Sequence, residues 1–149
     1  MKLPVEKFYD EMFKDYEGES MKNYKRIYVA GSYNADNVIK VLGNIRRGTQ
    51  VCVELLKKGY VPFCPWLDFN FHWYGDLTID DYYRYSMGWL EVSDCIYILR
   101  DSENSKGTQA EIKKAIELGI PVLYEGKDYL WKNILLRIVE RDKPMRVVQ

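Results

Sequence analysis

The segment 25-KRIYVAGSY-33 is a short apolar and aromatic run that ends in glycine and serine. Such a run is typical of a buried β-strand that leads into a loop at its carboxyl end. Three further runs of this kind follow, at 60-YVPFCP-65, 95-CIYILR-100 and 121-PVLYE-125. The sequence therefore predicts four strands, and the segments between them decide how these strands are arranged.

The segments between the predicted strands carry helical patterns. One helical stripe ends before Gly59 and consists of Ile45, Thr49, Cys52, Val53 and Leu56. A shorter helical face lies in 86–94, and another helix is expected over about 107–118. Strands that alternate with helices at this spacing form parallel sheets with helices on both faces. The predicted fold is α/β, a three-layer doubly wound parallel sheet of the flavodoxin or Rossmann kind.

Other segments extend this α/β region. Apolar residues at helical spacing in 5-VEKFYDEMFKDY-16 predict an N-terminal helix, which packs either on the sheet or on a second subunit. A last helix is predicted over about 128–142. We therefore expect an N-terminal helix and loop (1–24) and one α/β domain (25–149). Residues 66–85 are crowded with aromatic side chains without a clean period, which is typical of a long functional loop.

The composition limits the classes of function. The 149 residues are 47% hydrophobic and 30% charged, which fits one globular domain. The 22 basic and 22 acidic residues cancel without a basic stripe, so we expect a small-molecule partner and no nucleic acid polymer. No apolar stretch approaches the roughly 20 residues that span a bilayer, so no membrane partner is expected.

The cysteines and the single histidine exclude further classes. Cys52, Cys64 and Cys95 form no CxxC pair, and no secretory leader pattern is visible, so we expect a reduced, cytoplasmic protein. His72 is the only histidine. A zinc site or a Ser-His-Asp triad would lack parts, and neither a metal nor a cofactor is predicted.

The stretch 105-SKGTQAE-111 lies where a strand has ended and a helix begins. Doubly wound sheets bind ligands outside the carboxyl ends of their strands, and both 31-GSY-33 and 101-DSENSKGT-108 fall at such ends. The free N–H groups at a helix start attract an anion such as a phosphate. Gly107 would let the backbone approach such a ligand closely.

The spacing leaves two interpretations of Glu111 open. Thr108 and Glu111 have the spacing of a capping box, in which each side chain satisfies an unpaired N–H at the helix start. Alternatively, Glu111 is a carboxylate that the helix dipole keeps ionised in the first turn. An ionised carboxylate in that position could act as a nucleophile.

Four segments together resemble a known family: 26-RIYVAGS-32, 94-DCIYIL-99, 105-SKGTQAE-111 and 115-AIELGIPVLY-124. The resemblance is to the nucleoside 2-deoxyribosyltransferases, their relatives the nucleoside 5′-monophosphate N-glycosidases, and uncharacterised phage and bacterial proteins of the same superfamily. It covers about residues 25–126. It implies that Glu111 attacks the anomeric carbon of a nucleoside or nucleotide, expels the base and forms a covalent glycosyl ester. A second base or water then takes the sugar.

The resemblance also implies roles for other residues. The Tyr28 hydroxyl would orient Glu111, and Asp94 would be a catalytic aspartate. Substrate-binding roles fall on Gly31, Ser32, Tyr33, Ser86, Ser105, Gly107 and Thr108, among which Gly31, Ser32, Ser105 and Gly107 would hold a 5′-phosphate. The alternatives are a buried strand tyrosine at Tyr28, a capping or turn residue at Asp94 and solvated loop serines.

One position departs from the family pattern. Eight residues before Asp94 the family commonly has an aspartate that contacts the sugar or base, and here that residue is Ser86. Serine can hydrogen-bond but cannot carry a proton as a charged group. Asp81 or Asp68 could supply the missing carboxylate. The departure also favours an alternative function, a non-catalytic nucleotide-binding module that senses or sequesters its ligand.

Two further expectations concern the aromatic segment and the assembly. Some of five side chains could stack on a nucleobase, the others being core or subunit contacts: Trp66, Phe69, Phe71, His72 and Trp73. A homo-oligomer is expected, because members of the resembling family often complete the pocket with a neighbour's residues. The N-terminal helix would offer a further apolar face for such a contact.

Overall fold

Four parallel strands form a single sheet in the computed structural model, which describes Lys7 and residues 25–127. The strands are β1 (Arg26–Ala30), β2 (Val61–Phe63), β3 (Cys95–Ile98) and β4 (Val122–Tyr124). Their order is β2-β1-β3-β4, so the chain moves outward from β1 to β2 and then returns to the other side of β1. The loops after β1 and β3 therefore meet at the point where the strand order reverses.

Helices cover both faces of this sheet. α1 (Val38–Lys57) packs on one face, and α2 (Ile79–Glu91) and α3 (Lys106–Glu117) pack on the other. Neighbouring strand residues point to opposite faces: Ile27 and Val29 contribute to the cluster under α1, and Tyr28 and Ala30 to the cluster under α2 and α3. The predicted three-layer, doubly wound α/β fold is confirmed. The predicted helices at 5–16 and 128–142 lie outside the described residues, Lys7 apart.

The helical stripe predicted for α1 is displaced in the structure. Val51, Cys52 and Leu55 are buried, whereas Val53 and Leu56 are exposed. α1 also begins earlier than the stripe suggests, because the Asn37 side chain accepts a hydrogen bond from the Lys40 N–H at 3.0 Å and caps the helix. The displaced face reflects packing against the chain segment that follows β2.

Residues 66–85 were expected to form a long loop, and this prediction is wrong. The segment forms a 3-10 helix (Pro65–Tyr74) and the first half of α2. Thr78 caps α2 in a reciprocal capping box, in which the Thr78 hydroxyl accepts from the Asp81 N–H and the Asp81 carboxylate accepts from the Thr78 N–H. The aromatic residues obscured the helical period of this segment, although Thr-x-x-Asp was a visible start signal.

Trp66 fastens the 3-10 helix to the rest of the domain. Its indole N–H donates a hydrogen bond to the Ser32 carbonyl at 3.2 Å, and its ring lies directly on α1 at Gly48. A Cβ atom at Gly48 would lie 2.3 Å from two atoms of the ring. Because Gly48 has no side chain, the buried indole can bring the 3-10 helix beside the loop that follows β1.

Candidate active site

A cavity of about 810 Å³ opens at the carboxyl ends of the strands. Its walls come from the loop after β1, the 3-10 helix, α2, and the loop and first turns of α3. Eight of the predicted site residues line it: Gly31, Ser32, Tyr33, Ser86, Ser105, Gly107, Thr108 and Glu111. The cavity lies where the strand order reverses, which is the usual ligand position in doubly wound sheets.

Glu111, which lines the cavity, is bonded to Tyr28 of β1 behind the cavity wall. The buried Tyr28 hydroxyl donates a hydrogen bond to Glu111 Oε1 at 2.6 Å. Burial raises the pKa of Glu111 to about 7, the bond from Tyr28 lowers it, and the charge of Asp68 raises it further. Burial, followed by the charge of Glu111, also raises the pKa of Tyr28 well above its usual value, so the phenol remains a donor at neutral pH.

The capping box suggested for Thr108 and Glu111 is not formed. α3 begins at Lys106, and its cap is Ser105, whose hydroxyl accepts from the Thr108 N–H at 3.4 Å. Glu111 therefore lies in the second turn, where the helix dipole is a weaker influence than in the first turn. Burial is the largest influence on Glu111 and raises its pKa, which opposes the expected effect of the dipole. Glu111 thus has no capping role.

Asp94 lies at the opposite end of the sheet from the cavity. Its carboxylate accepts a hydrogen bond from the Arg26 N–H at 2.7 Å and pairs with the Arg26 guanidinium at 3.3 Å. Both residues lie at the amino ends of β1 and β3, whereas the cavity lies at the carboxyl ends. The structure does not bring Asp94 to Glu111. Its contacts match the alternative interpretation, a residue that holds the chain at the start of a strand.

A second carboxyl group, that of Asp68, lies in the cavity wall. Asp68 belongs to the 3-10 helix and is only 8% exposed. Burial raises its pKa to about 6, and the nearby His72 ring lowers it. The other candidate, Asp81, does not line the cavity, because it caps α2 and pairs with Arg84 at 2.8 Å. The Thr-x-x-Asp pattern of that cap was the signal that could have separated the two.

Hydroxyl groups gather around the start of α3. Thr108 is 1% exposed, and its hydroxyl has no hydrogen-bond partner within the described residues. Ser32 presents its side chain only, because its N–H donates to the Ser102 hydroxyl at 3.0 Å and its carbonyl accepts from Trp66. A 5′-phosphate could therefore meet Ser32 only through its side chain, because the Ser32 N–H is already bonded. The Ser32 hydroxyl and the first N–H groups of α3 are the donors that remain for a phosphate.

Aromatic side chains form part of the cavity wall, but they are not the set that the sequence suggested. Of that set, Trp66 and His72 line the cavity, whereas Phe71 packs against Tyr82 and Tyr85. Trp73 is exposed. Sequence reasoning missed two aromatic lining residues of α2, Tyr82 and Tyr83. They lie in the segment that was expected to be a loop, so no face could be assigned to them.

Other features of the described part of the chain bear on chemistry. Cys52, Cys64 and Cys95 are buried and free. Within residues 25–127, no three His, Cys, Asp or Glu side chains are placed together so that they could hold a metal ion. None of the helices in that range is long and apolar enough to cross a membrane.

The fold and the cavity define a doubly wound α/β domain with a cavity at the point where its strand order reverses. Residues 25–124 match the family model described as "Domain of unknown function (DUF4406)", and the chain belongs to this family. A solved structure, that of a 2-deoxyribosyltransferase from the psychrotolerant bacterium Bacillus psychrosaccharolyticus, is similar at 18% sequence identity. The likeness covers 66% of this chain and 70% of that chain, with a TM-score of 0.47. No curated protein matches the chain.

Proposed function

We propose that the cavity is the active site of an enzyme that cleaves or exchanges the N-glycosidic bond of a nucleoside or nucleoside 5′-monophosphate. Glu111 is the nucleophile. The observation that carries this proposal is the hydrogen bond of 2.6 Å between the buried Tyr28 hydroxyl and Glu111 Oε1. It holds one oxygen of a cavity-lining carboxylate, while the other oxygen accepts no hydrogen bond from the described residues. Nucleophilic carboxylates require this combination of orientation and access.

In the first step, Glu111 attacks C1′ of the sugar. A C1′–O bond forms, the C1′–N bond breaks, and its electron pair leaves with the base, which takes up a proton. The product is a glycosyl ester of Glu111. In the second step, water or another base attacks C1′ and loses a proton, and the Glu111 carboxylate is released. Hydrolase and transferase activities share this ester and differ in the acceptor.

Tyr28 supports this chemistry through the charge state of Glu111. A hydrogen bond to a carboxylate favours its ionised form, which is the nucleophilic one. Burial works in the opposite direction and raises the pKa of Glu111 to about 7. A pKa near 7 keeps the ionised form of Glu111 accessible at neutral pH, and a carboxylate that has lost part of its hydration is a stronger nucleophile than a fully hydrated one.

The rest of the cavity fits a nucleoside or nucleotide in size and chemistry. Its volume of about 810 Å³ is within the usual range of small-molecule sites. Tyr33, Tyr82 and Tyr83 offer aromatic surface for a base. The Thr108 and Ser32 hydroxyls, with the first N–H groups of α3, offer donors for a 5′-phosphate.

The test is base release from a panel of nucleosides and 5′-monophosphates, with and without a second base as acceptor, followed by chromatography. We expect release by the parent protein and a loss on the order of 10³-fold or more in Glu111→Gln. A nucleoside fluorinated at C2′ of the sugar slows hydrolysis of the glycosyl ester. It should leave a sugar-sized mass increment on the peptide that contains Glu111.

The control is a thermal melt of both proteins, which separates lost chemistry from lost folding. Base release by Glu111→Gln at the parental rate would rule out Glu111 as the nucleophile. If neither protein releases base although both bind a nucleotide, the chain is the non-catalytic nucleotide-binding module that Ser86 favours.

A further inference from the structure

Asp68 is a buried carboxyl group without a partner. It is 8% exposed, lines the cavity, and makes no hydrogen bond or ion pair with any described residue. A buried carboxylate normally pairs with a cation or gives up its charge. Asp68 has no such paired cation within hydrogen-bonding distance in the described part of the chain. Its one attractive neighbour is His72 on the same 3-10 helix. This carboxyl group is therefore held where it can exchange a proton.

The groups that surround Asp68 come from every element at this side of the cavity. The charge of Asp68 raises the pKa of five other groups: Tyr28 of β1, Tyr33 after β1, Tyr82 and Tyr85 of α2, and Glu111 of α3. None of these five groups is a cation, and burial disfavours a negative Asp68 against the attraction of His72. Asp68 and Glu111 thus lie close enough to influence each other's proton.

Tyr33 adds a second unpartnered group beside Asp68. Its hydroxyl is buried and has no hydrogen-bond partner within the described residues, although Tyr33 lines the cavity. Burial and then the charge of Asp68 raise the pKa of Tyr33 to about 12, so this hydroxyl is a donor and acceptor at neutral pH. A nucleobase edge carries both donors and acceptors, and it would satisfy Tyr33 and Asp68 together.

We propose that Asp68 is the catalytic residue that gives a proton to the departing base and later takes one from the acceptor. This inference rests on the proposed role of Glu111. While C1′–N breaks and C1′–O(Glu111) forms, the proton of the Asp68 carboxylic acid passes to the nitrogen or oxygen that receives charge in the base. In the second step the Asp68 carboxylate accepts the proton of the attacking water or base, which restores the acid.

Two other groups on the cavity wall are poorer candidates for this proton. Ser86 cannot ionise in this range, and its side chain lies close enough to Tyr28 to lower the pKa of that phenol. Asp101 lines the rim of the cavity and is exposed to solvent. Asp68 is the buried member of the set.

The experiment compares substrates whose leaving bases differ in their need for a proton. 2′-Deoxyguanosine 5′-monophosphate requires protonation of its base, whereas its N7-methylated form carries a positive charge and releases a neutral base without one. For a pyrimidine-specific enzyme, the corresponding pair has uracil and the more acidic 5-fluorouracil as bases. The variants are Asp68→Asn, Glu111→Gln and Asp101→Asn, which keeps the side-chain size and tolerates the left-handed backbone of Asp101.

For Asp68→Asn we expect kcat/KM to fall about 10²- to 10³-fold on the parent substrate. On the activated substrate it should fall less than about 10-fold. For Glu111→Gln, kcat/KM should fall on both substrates, because this variant lacks the nucleophile. The parent enzyme should lose activity on the alkaline side, as Asp68 loses its proton, and Asp68→Asn should lack this limb.

Each outcome decides between the two proposals. Equal losses for Asp68→Asn on both substrates would overturn the role of Asp68 as proton donor while leaving Glu111 intact. If Asp101→Asn, and not Asp68→Asn, loses activity on the parent substrate but keeps it on the activated one, the proton donor is Asp101. No base release by the parent enzyme from any substrate would overturn the function of the site itself. A melting temperature of Asp68→Asn at pH 8 that is no lower than that of the parent excludes misfolding as the cause.

Discussion

At the scale of single residues, the ionised form of Glu111 that the proposed chemistry needs is also the form that destabilises the fold. Burial raises the pKa of Glu111 from 4.5 to about 7. The folded protein therefore binds this proton more tightly than the unfolded chain does, and stability falls as the pH rises from about 4.5 through 7. A residue that served only as a helix cap would make the protein more stable when ionised. The sign of the pH dependence thus distinguishes the two interpretations.

We predict that Glu111→Gln is more stable than the parent protein at pH 8, by roughly 3 kcal/mol. At pH 4 the two proteins should differ little, because the parent Glu111 is then neutral in both the folded and unfolded states. Urea unfolding at the two pH values measures the difference. A variant less stable than the parent at pH 8 would show that the ionised carboxylate stabilises the fold.

Tyr28 should control the proton of Glu111 directly. In Tyr28→Phe the hydrogen bond that favours the ionised form is lost, so the pKa of Glu111 should rise further above 7. The carboxyl ¹³C chemical shift of Glu111, followed in a pH titration, measures this. Tyr83→Phe serves as a control, since it removes a half-exposed tyrosine hydroxyl on α2. An unchanged pKa in Tyr28→Phe would mean that the hydrogen bond does not tune the nucleophile.

Thr108 should make the site prefer nucleoside 5′-monophosphates over nucleosides. Its buried hydroxyl has no partner within the described residues, and a 5′-phosphate oxygen would provide one. Thr108→Val keeps the shape and removes the hydroxyl, so KM for a monophosphate should rise about 10-fold, as for one lost hydrogen bond to a charged group. KM for the nucleoside should stay within about 2-fold. Equal effects on both ligands would place the phosphate elsewhere.

At the scale of elements, the position of Asp68 depends on how the 3-10 helix is anchored. That helix has ten residues, which is long for a 3-10 helix, because the hydrogen bonds of such helices have poor geometry. Its own hydrogen bonds therefore do not explain its stability. Trp66 holds it from one end, with its indole on Gly48 of α1 and its N–H on the Ser32 carbonyl. Packing between elements, rather than helix propensity, therefore places Asp68 in the cavity wall.

Two glycines of α1 provide a matched test of this anchor. A Cβ atom at Gly48 would lie 2.3 Å from the Trp66 ring, whereas a Cβ at Gly43 would meet nothing within 4 Å. We predict that Gly48→Ala destabilises the protein by about 1–3 kcal/mol through overpacking. Gly43→Ala should stabilise it by roughly 0.5–1 kcal/mol, because alanine is the better helix former. Urea unfolding that finds the two variants equally stable would contradict the close packing of Trp66.

At the scale of the whole molecule, apolar side chains lie on the surface beside the cavity. Trp73, Tyr74 and Ile79 are 77%, 92% and 82% exposed. Large exposed apolar side chains that lie near one another in the chain are candidates for a contact surface. We therefore expect a homo-oligomer in which this patch is covered, as the sequence resemblance also implied.

Light scattering at micromolar concentration tests the assembly. The parent protein should have at least twice the mass of one chain, and Trp73→Ser combined with Tyr74→Ser should shift it toward a monomer. Val53→Ser, on the exposed face of α1, provides a control on another surface. A parent protein that is monomeric and releases base at full rate would contradict the expectation.

Much of the architecture could be predicted because it depends on local patterns. Short apolar runs with glycine or serine at their ends gave four strands close to their observed positions, and helical spacing gave α1 and α3. The site location followed from the same patterns, since strands of one parallel sheet bring their carboxyl-end loops together. The pairing of Tyr28 with Glu111 was implied by resemblance rather than by spacing, and the structure places the two in contact.

The sequence by itself determined the α/β class and the edge of the sheet at which the cavity opens, because strand and helix periods are properties of neighbouring residues. Only the tertiary structure decided which carboxyl groups share the cavity. Asp94 is bonded to Arg26 at the far end of the sheet, while the packing of Trp66 on Gly48 brings Asp68 to the cavity that Glu111 also lines. Contacts between residues distant in the chain carry no signal in local spacing. Burial, which raises the pKa values of Asp68 and Glu111, likewise arises only when the elements pack.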